Sequence, residues 1–144
     1  MTTLSRKFRD LGFKHRTDAY KERAEAAKLG IDLYEFSRKF PGNFGQEVRD
    51  ILRHLDDAAM AQKARTLYDN MREAFVALAE NRWLSLRGDA LPYEEEEVRQ
   101  ELMEFEDHIG MLGELAKHLE AAAELDTNSD ALMEMADRFL ELGE

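Results

Sequence analysis

A long seam of apolar residues with heptad spacing occupies the last third of the chain. Its members are separated alternately by four and three residues, and they are Val98, Leu102, Phe105, Ile109, Leu112, Ala116, Leu119 and Ala123. Such spacing keeps an apolar stripe on one side of a helix, and it is the pattern with which helices supercoil around each other. Because other helices have to cover this stripe, the sequence predicts an all-α fold.

Five helices are predicted from apolar periodicity and from cap and breaker residues. They cover residues 17–29, 33–40, 44–86, 92–125 and 130–142. Gly30, Pro41 and the turn-forming residues 126–129 separate them. The third and fourth helices are long and joined by a short Gly/Pro loop, which predicts an antiparallel hairpin. Shorter N- and C-terminal helices pack against it, giving one helical bundle with two candidate sub-modules, 1–42 and 43–144.

The apolar seam of the third predicted helix is irregular near its middle. Ala58, Ala61 and Ala64 are three residues apart, whereas the positions before and after them follow the heptad pattern. Two successive spacings of three overwind a helix in a coiled coil. We therefore expect a local distortion of the helix at this point.

Cysteine content and apolar runs narrow the class of protein. The 144 residues include no cysteine, so disulfides and thiolate zinc sites are excluded. The chain lacks the run of about 18 apolar residues that a membrane span requires. Its N-terminal segment also lacks the apolar centre of a secretory signal. We expect a cytoplasmic protein that does not contact membranes.

Charge is distributed unevenly along the chain. Residues 1–40 contain ten Lys and Arg against six Asp and Glu, whereas residues 91–144 contain three against seventeen. Cations with aromatic residues between them are typical of single-stranded nucleic-acid binding. The candidate nucleic-acid contacts are Arg6, Lys7, Arg9, Lys14, Arg16, Lys21 and Arg23. The alternative is that this basic segment docks on the acidic helices of its own or a neighbouring chain.

A basic start followed by two helical stretches makes up residues 13–40, FKHRTDAYKERAEAAKLGIDLYEFSRKF. This segment resembles the ribbon–helix–helix DNA-binding proteins, and the following GNFGQEVRDILRHL is similar to plasmid mobilisation accessory proteins. The resemblance implies a strand that enters the major groove of DNA, with Lys14 and Arg16 facing it. The alternative is one kinked amphipathic helix over residues 17–40, because heptad spacing also relates Tyr20, Ala24, Ala27, Ile31 and Tyr34.

Two further groups of residues are candidate protein contacts. Carboxylates near the start of the fourth helix are suited to a basic groove, as in a nucleic-acid mimic, and they include Glu95, Glu96, Glu101 and Glu104. The alternative is an ordinary solvated helix surface. Trp, Tyr and Arg are enriched at the hot spots of protein interfaces. The tip of the hairpin carries such residues at Trp83, Arg82, Arg87 and Tyr93. The alternative here is that Trp83 closes the end of the core.

Motifs for catalysis or metal binding are sparse. Helical di-iron proteins carry Glu-x-x-His, and no histidine of this chain has a glutamate three residues before it. Weaker groupings are Asp50, His54 and Asp57, and the i, i+4 pairs of Glu104 with His108 and Glu114 with His118. We predict a non-catalytic interaction protein without a cofactor or metal.

The predicted function is that of a small subunit or regulator of a nucleic-acid-handling assembly. In this prediction the basic N-terminal region contacts nucleic acid and the acidic bundle contacts protein. One alternative is an acidic inhibitor that blocks a basic groove, and a second is a carboxylate–histidine metal bundle. The heptad seams also make a homo-oligomer, such as a dimer, an expected arrangement.

Overall fold

The computed structural model describes residues 3–40, 42–86, 88 and 91–143. The elements are four α-helices and a 3-10 turn (Ser37–Lys39), the helices being α1 (Leu4–Phe36), α2 (Phe44–Arg53), α3 (Ala59–Leu84) and α4 (Pro92–Glu141). No strand occurs among these described residues, and the prediction of an all-α bundle is confirmed. None of the described helices combines the length and the apolar character needed to cross a membrane.

The helices α3 and α4 form the predicted antiparallel hairpin. Ion pairs join Arg65 to Glu120 and Arg82 to Glu101, so the end of α3 lies beside the beginning of α4. α1 also lies along α4, and it forms the most extensive interface between two helices in the structure. α2 contacts both α1 and α3, and it closes the bundle on the side away from α4.

A cluster of phenylalanine rings from α1, α2, α4 and the residue after the 3-10 turn lies in the core. Phe40 lies beside the rings of Phe36, Phe44 and Phe105, with centroid separations between 4.4 and 5.2 Å. Predicted seam positions of α2 and α4 extend this cluster, namely Val48, Ile51, Ile109, Leu112, Ala116 and Leu119, and the seam residue Leu102 is also buried. The apolar seam predicted for α4 is therefore the face of the helix that is buried in the core.

Small residues line the contact between α1 and α4. On α1 they recur every seventh position, at Ser5, Gly12, Ala19 and Ala26. On α4 the same interval relates Ala122, Ser129 and Ala136. All seven residues are buried, and side chains of this size let two helix backbones come close together. We call this contact the α1–α4 seam.

The predicted turn at residues 126–129 is wrong, because α4 continues through it. The hydroxyl of Thr127 donates to the carbonyl of Ala123, inside the helix. Ser129 is fully buried in the α1–α4 seam. The separate fifth helix predicted over residues 130–142 is consequently the last part of α4.

The predicted end of a helix at Gly30 is also wrong, because α1 is helical from Leu4 to Phe36. A Cβ atom at Gly30 would lie 2.5 Å from Cδ2 of Leu52, so glycine makes room for α2 here. Residues 13–36 form part of one helix, which matches the alternative of a single amphipathic helix. The strand implied by the ribbon–helix–helix resemblance is not adopted.

The third predicted helix is divided into α2 and α3. The break covers residues 54–58 and therefore ends at Ala58, the first residue of the irregular spacing with Ala61 and Ala64. At the start of α3, a side-chain oxygen of Asp57 accepts a 2.9 Å hydrogen bond from the backbone N–H of Ala59. Because the helix is interrupted here, the apolar residues of α2 and of α3 can both face the core without an overwound helix.

Candidate functional site

The outer face of α1 carries a second apolar seam, which we call the outer strip. It has heptad spacing and comprises Phe13, Tyr20, Ala24, Ala27, Ile31 and Tyr34. The large members are exposed, with Tyr20 at 74% and Ile31 at 53%. The sequence predicts packing along the part of this stripe that begins at Tyr20. Because α4 takes the small residues on the other side of α1, the stripe faces solvent instead.

A row of lysines borders the outer strip. Four exposed lysines lie seven residues apart along α1, namely Lys7, Lys14, Lys21 and Lys28. Seven residues of helix correspond to about 10 Å, so the ammonium groups form a regular series. Lys28 pairs with Glu25 at 3.2 Å, whereas the ion pairs found among the described residues do not involve the other three. This row, which we call the lysine row, is available to an anionic partner.

Three of the predicted nucleic-acid contacts face α4. Arg9 pairs with Asp137 at 3.2 Å, and Arg16 lies 3.7 Å from Asp130. Their seven-residue spacing matches that of the two aspartates, as antiparallel helices in heptad register require.

Arg23, seven residues further along α1, pairs with Asp126 and donates a 3.1 Å hydrogen bond to the carbonyl of Leu55. These three arginines thus dock on the chain's own acidic helix. The predicted contacts that remain outward-facing are Arg6, Lys7, Lys14 and Lys21.

A groove of about 540 Å³ separates the outer strip from α2. Its walls are formed by residues of α1, of α2 and of the segment after α2, which are Tyr20, Arg23, Ala24, Ala27, Leu52, Arg53, Leu55 and Asp56. The α1 side includes two small alanines beside Tyr20 and Arg23, and two leucines belong to the other wall. The sequence did not predict this groove, because it depends on how α2 folds back along α1. We call it the α1–α2 groove.

The hairpin tip holds the predicted interface residues that the structure describes. Trp83 is 40% exposed and Tyr93 is 59% exposed, while Arg82 pairs with Glu101 at 3.1 Å. Arg87 lies outside the described residues. Trp83 also lines an open apolar depression of about 590 Å³ on α3. The tip is therefore partly exposed apolar surface.

Most of the predicted acidic surface is engaged within the chain. Glu96 pairs with Arg99 at 2.8 Å, and Glu104 pairs with Lys39 at 3.3 Å. With Glu101 already bound to Arg82, Glu95 is the member of the predicted set that forms no ion pair within the described ranges.

The histidine and carboxylate groupings are used for packing and for local hydrogen bonds. His108 stacks on Phe36 with ring centroids 3.5 Å apart, and Nδ1 of His118 lies 2.6 Å from Oε2 of Glu22. A hydrogen bond from Lys63 lowers the pKa of Asp50. In the part of the chain that the structure describes, no three His, Asp or Glu side chains are grouped to hold a metal ion.

Comparison with known proteins does not assign the chain to a family. No protein-family model matches the chain, and neither the curated proteins nor the solved structures contain a match. The regular spacing of the lysine row was readable from the sequence alone. Lysines and arginines of α1 both recur every seventh residue, and the offset of two residues between the two sets is the signal that places them on different sides of the helix.

Proposed function

We propose that this protein is a non-catalytic helical binding protein, a small subunit or regulator that holds a macromolecular partner on the outer face of α1. The observation that carries the proposal is the outer strip. It keeps heptad spacing over residues 13–34, yet its large side chains are exposed. Contiguous exposed apolar surface on a small protein marks an interaction site.

A protein partner is the first candidate. Heptad spacing suits a helix laid along α1, because an amphipathic helix presents its own apolar stripe at matching intervals. Aromatic side chains such as Tyr20 and Tyr34 supply large contact areas at interfaces. The lysine row adds a charged edge, which gives such a contact orientation and specificity.

Nucleic acid is the second candidate, in keeping with the role of a subunit or regulator in a nucleic-acid-handling assembly. The lysine row and the exposed rings of Phe13 and Tyr20 favour it, since phosphates pair with lysines and bases stack on aromatic side chains. Against it, Asp18 and Glu25 lie one helical turn after Lys14 and Lys21, which reduces the positive potential at the row.

Fluorescence anisotropy with two classes of labelled probe tests the proposed function. The probes are single- and double-stranded DNA and RNA, and helical amphipathic peptides of either charge. We expect at least one probe to bind, and Tyr20→Glu and Ile31→Glu to weaken that binding tenfold or more. Val76→Glu, at an exposed position of α3, is the matched control. The proposal fails if no probe binds, or if both α1 variants bind like the unmodified protein.

A further inference from the structure

One kind of partner fits the surface that is formed by the outer strip, the lysine row and the α1–α2 groove. We infer that this face receives an acidic amphipathic α-helix of a partner protein, with one large apolar side chain inserted in the α1–α2 groove. The inference rests on the proposed function and specifies its partner.

The length of the strip defines the length of the partner helix. From Phe13 to Tyr34 the apolar positions alternate in steps of three and four residues, apart from one interval of seven at Thr17. At 1.5 Å per residue the strip is about 32 Å long, which corresponds to about six turns of a facing helix. An extended strand repeats every two residues and would not keep this register.

Cations lie along both edges of the face, and Glu25, Asp32 and Glu35 are exposed beside those on α1. Lys14, Lys21 and Lys28 follow the edge on α1, while the exposed Arg53 lines the α1–α2 groove on the other side. Arg49 lies one turn before Arg53 and is also exposed. Asp56 is the acidic residue of the groove wall.

Carboxylates at seven-residue intervals on the partner would meet the lysine row, and further carboxylates on its opposite flank would meet the arginines. A second copy of α1 would bring its own lysines against this row, and repulsion between them disfavours that occupant.

The α1–α2 groove supplies an anchor point halfway along the strip. Ala24 and Ala27 leave a depression between Tyr20 and the leucines of the opposite wall, Leu52 and Leu55. A leucine or an aromatic ring from the partner fits a groove of about 540 Å³ whose lining includes two alanines and two leucines. Burial of a large side chain in such a pocket, with charges around the rim, is the usual composition of an interface hot spot.

Two peptides of 22 residues serve as probes. Both carry leucines at the seam positions, and the flanking positions are Glu in one peptide and Lys in the other. In fluorescence anisotropy we expect the Glu peptide to bind at least tenfold more tightly than the Lys peptide, with affinity falling as salt rises. The double variant Lys21→Glu/Lys28→Glu reverses this preference. Lys117→Glu, on the exposed side of α4, leaves it unchanged.

Filling the groove tests the anchor separately. Ala27→Trp is expected to weaken binding of the Glu peptide tenfold or more, while Ala77→Trp, at an exposed position of α3, has no effect. If circular dichroism shows that Ala27→Trp unfolds the chain, Ala24→Trp fills the same groove from an exposed position. Unchanged binding by a folded groove-filling variant overturns the inference.

The remaining outcomes separate this inference from the proposed function. Equal affinity for the two peptides overturns the inference, because the basic edges would then not discriminate between an acidic and a basic helix. If nucleic acid binds through Tyr20 and Ile31 while the Glu peptide does not bind, the inference fails and the proposed function stands. If neither class of probe binds, both fail.

Discussion

The hydroxyl of Ser129 on α4 donates a 2.8 Å hydrogen bond to the backbone carbonyl of Gly12 on α1. A serine side chain is short, so this bond requires the two helix backbones to be close together. The reciprocal bond, from the Ser5 hydroxyl to the carbonyl of Ala136, measures 2.9 Å and lies further along the same interface. Close approach over this length is what the small residues of the α1–α4 seam permit.

Enlarging one small seam residue should destabilise the protein. Ala19 is fully buried, and the register set by Ser129 and Gly12 places it opposite Ala122, which is also buried. We expect Ala19→Leu to lower the free energy of unfolding by about 1–3 kcal/mol, because the added atoms force the helices apart. Urea denaturation followed by circular dichroism measures this change.

The matched control for that substitution is Ala131→Leu. Ala131 is exposed on α4, where leucine is tolerated in a helix, so the free energy of unfolding should change by no more than about 0.5 kcal/mol. Equal effects of the two substitutions would contradict close packing at the seam.

Two glycines of α4, three residues apart, should respond in opposite ways to alanine. Gly110 has open space around it, so Gly110→Ala should raise the free energy of unfolding by about 0.5–1 kcal/mol through helix propensity alone. At Gly113, a Cβ atom would lie 2.8 Å from Cε1 of Tyr68. We expect Gly113→Ala to be less stable than Gly110→Ala by about 1–2 kcal/mol, because the ring has to move.

A double variant identifies the cause of the Gly113 effect. In a Tyr68→Val background the ring is absent, and Gly113→Ala should become stabilising, as at Gly110. Thermal unfolding of the four chains gives the interaction energy between positions 68 and 113. An unchanged penalty in the Tyr68→Val background would show that the ring is not responsible.

The apolar seams of α2 and α4 were predictable from the sequence because they are long and regular. Val48 and Ile51 pack as their spacing indicates, and Leu112 lies at the centre of the core. Long-range register was not predictable in the same way. Residues 126–129 favour a turn locally, yet the hydroxyl of Ser129 donates its hydrogen bond to the carbonyl of Gly12, which is distant in sequence. Tertiary packing overrides local preference at this point.

The orientation of α1 shows a different limit of sequence analysis. Residues 17–34 contain two heptad seams, one of large residues such as Tyr20 and Ile31, and one that includes the small Ala19 and Ala26. Hydrophobicity favours burial of the large residues. The chain instead buries the small ones, because α4 offers matching small residues and approaches closely. Periodicity identifies both seams but does not determine which one faces the partner helix.

Arg23 should contribute more to stability than Arg16. Its side chain is 17% exposed, and it joins α1 to Asp126 of α4 and to the carbonyl of Leu55. Arg23→Met leaves both acceptors without this donor and should lower the free energy of unfolding by about 1.5–3 kcal/mol. Arg16 pairs with Asp130 at the surface, so Arg16→Met should cost at most about 1 kcal/mol. Urea denaturation at low and high salt compares them, and equal costs would contradict the bridging role of Arg23.

Lys63 joins α3 to α2, and its contribution to stability should depend on pH. Its ammonium group lies 3.3 Å from carboxylate oxygens of both Glu47 and Asp50. The hydrogen bond from Lys63 lowers the pKa of Asp50. Desolvation acts to lower the pKa of Lys63, but its hydrogen bonds to Asp50 and Glu47 outweigh this and raise it.

The signs of these pKa shifts define the pH window. Because the pKa of Asp50 is lowered on folding, its pairing stabilises the protein above the ordinary value of about 3.9 and is lost as pH falls through the folded value. Because the pKa of Lys63 is raised, the pairing is complete below about 10.4 and is lost as pH rises through the folded value. The stability difference between the unmodified protein and Lys63→Met should therefore be largest between these limits.

Urea midpoints at pH 3, 7 and 11 measure that difference. A carboxyl-carbon NMR titration reports Asp50 directly, and its pKa should rise towards the ordinary value in Lys63→Met. Lys117→Met, which removes an exposed pair with Glu114 within α4, should leave the pKa of Asp50 unchanged. If the pKa of Asp50 were the same with and without Lys63, the bridge between α2 and α3 would not exist in solution, and the position of α2 beside the α1–α2 groove would rest on apolar packing alone.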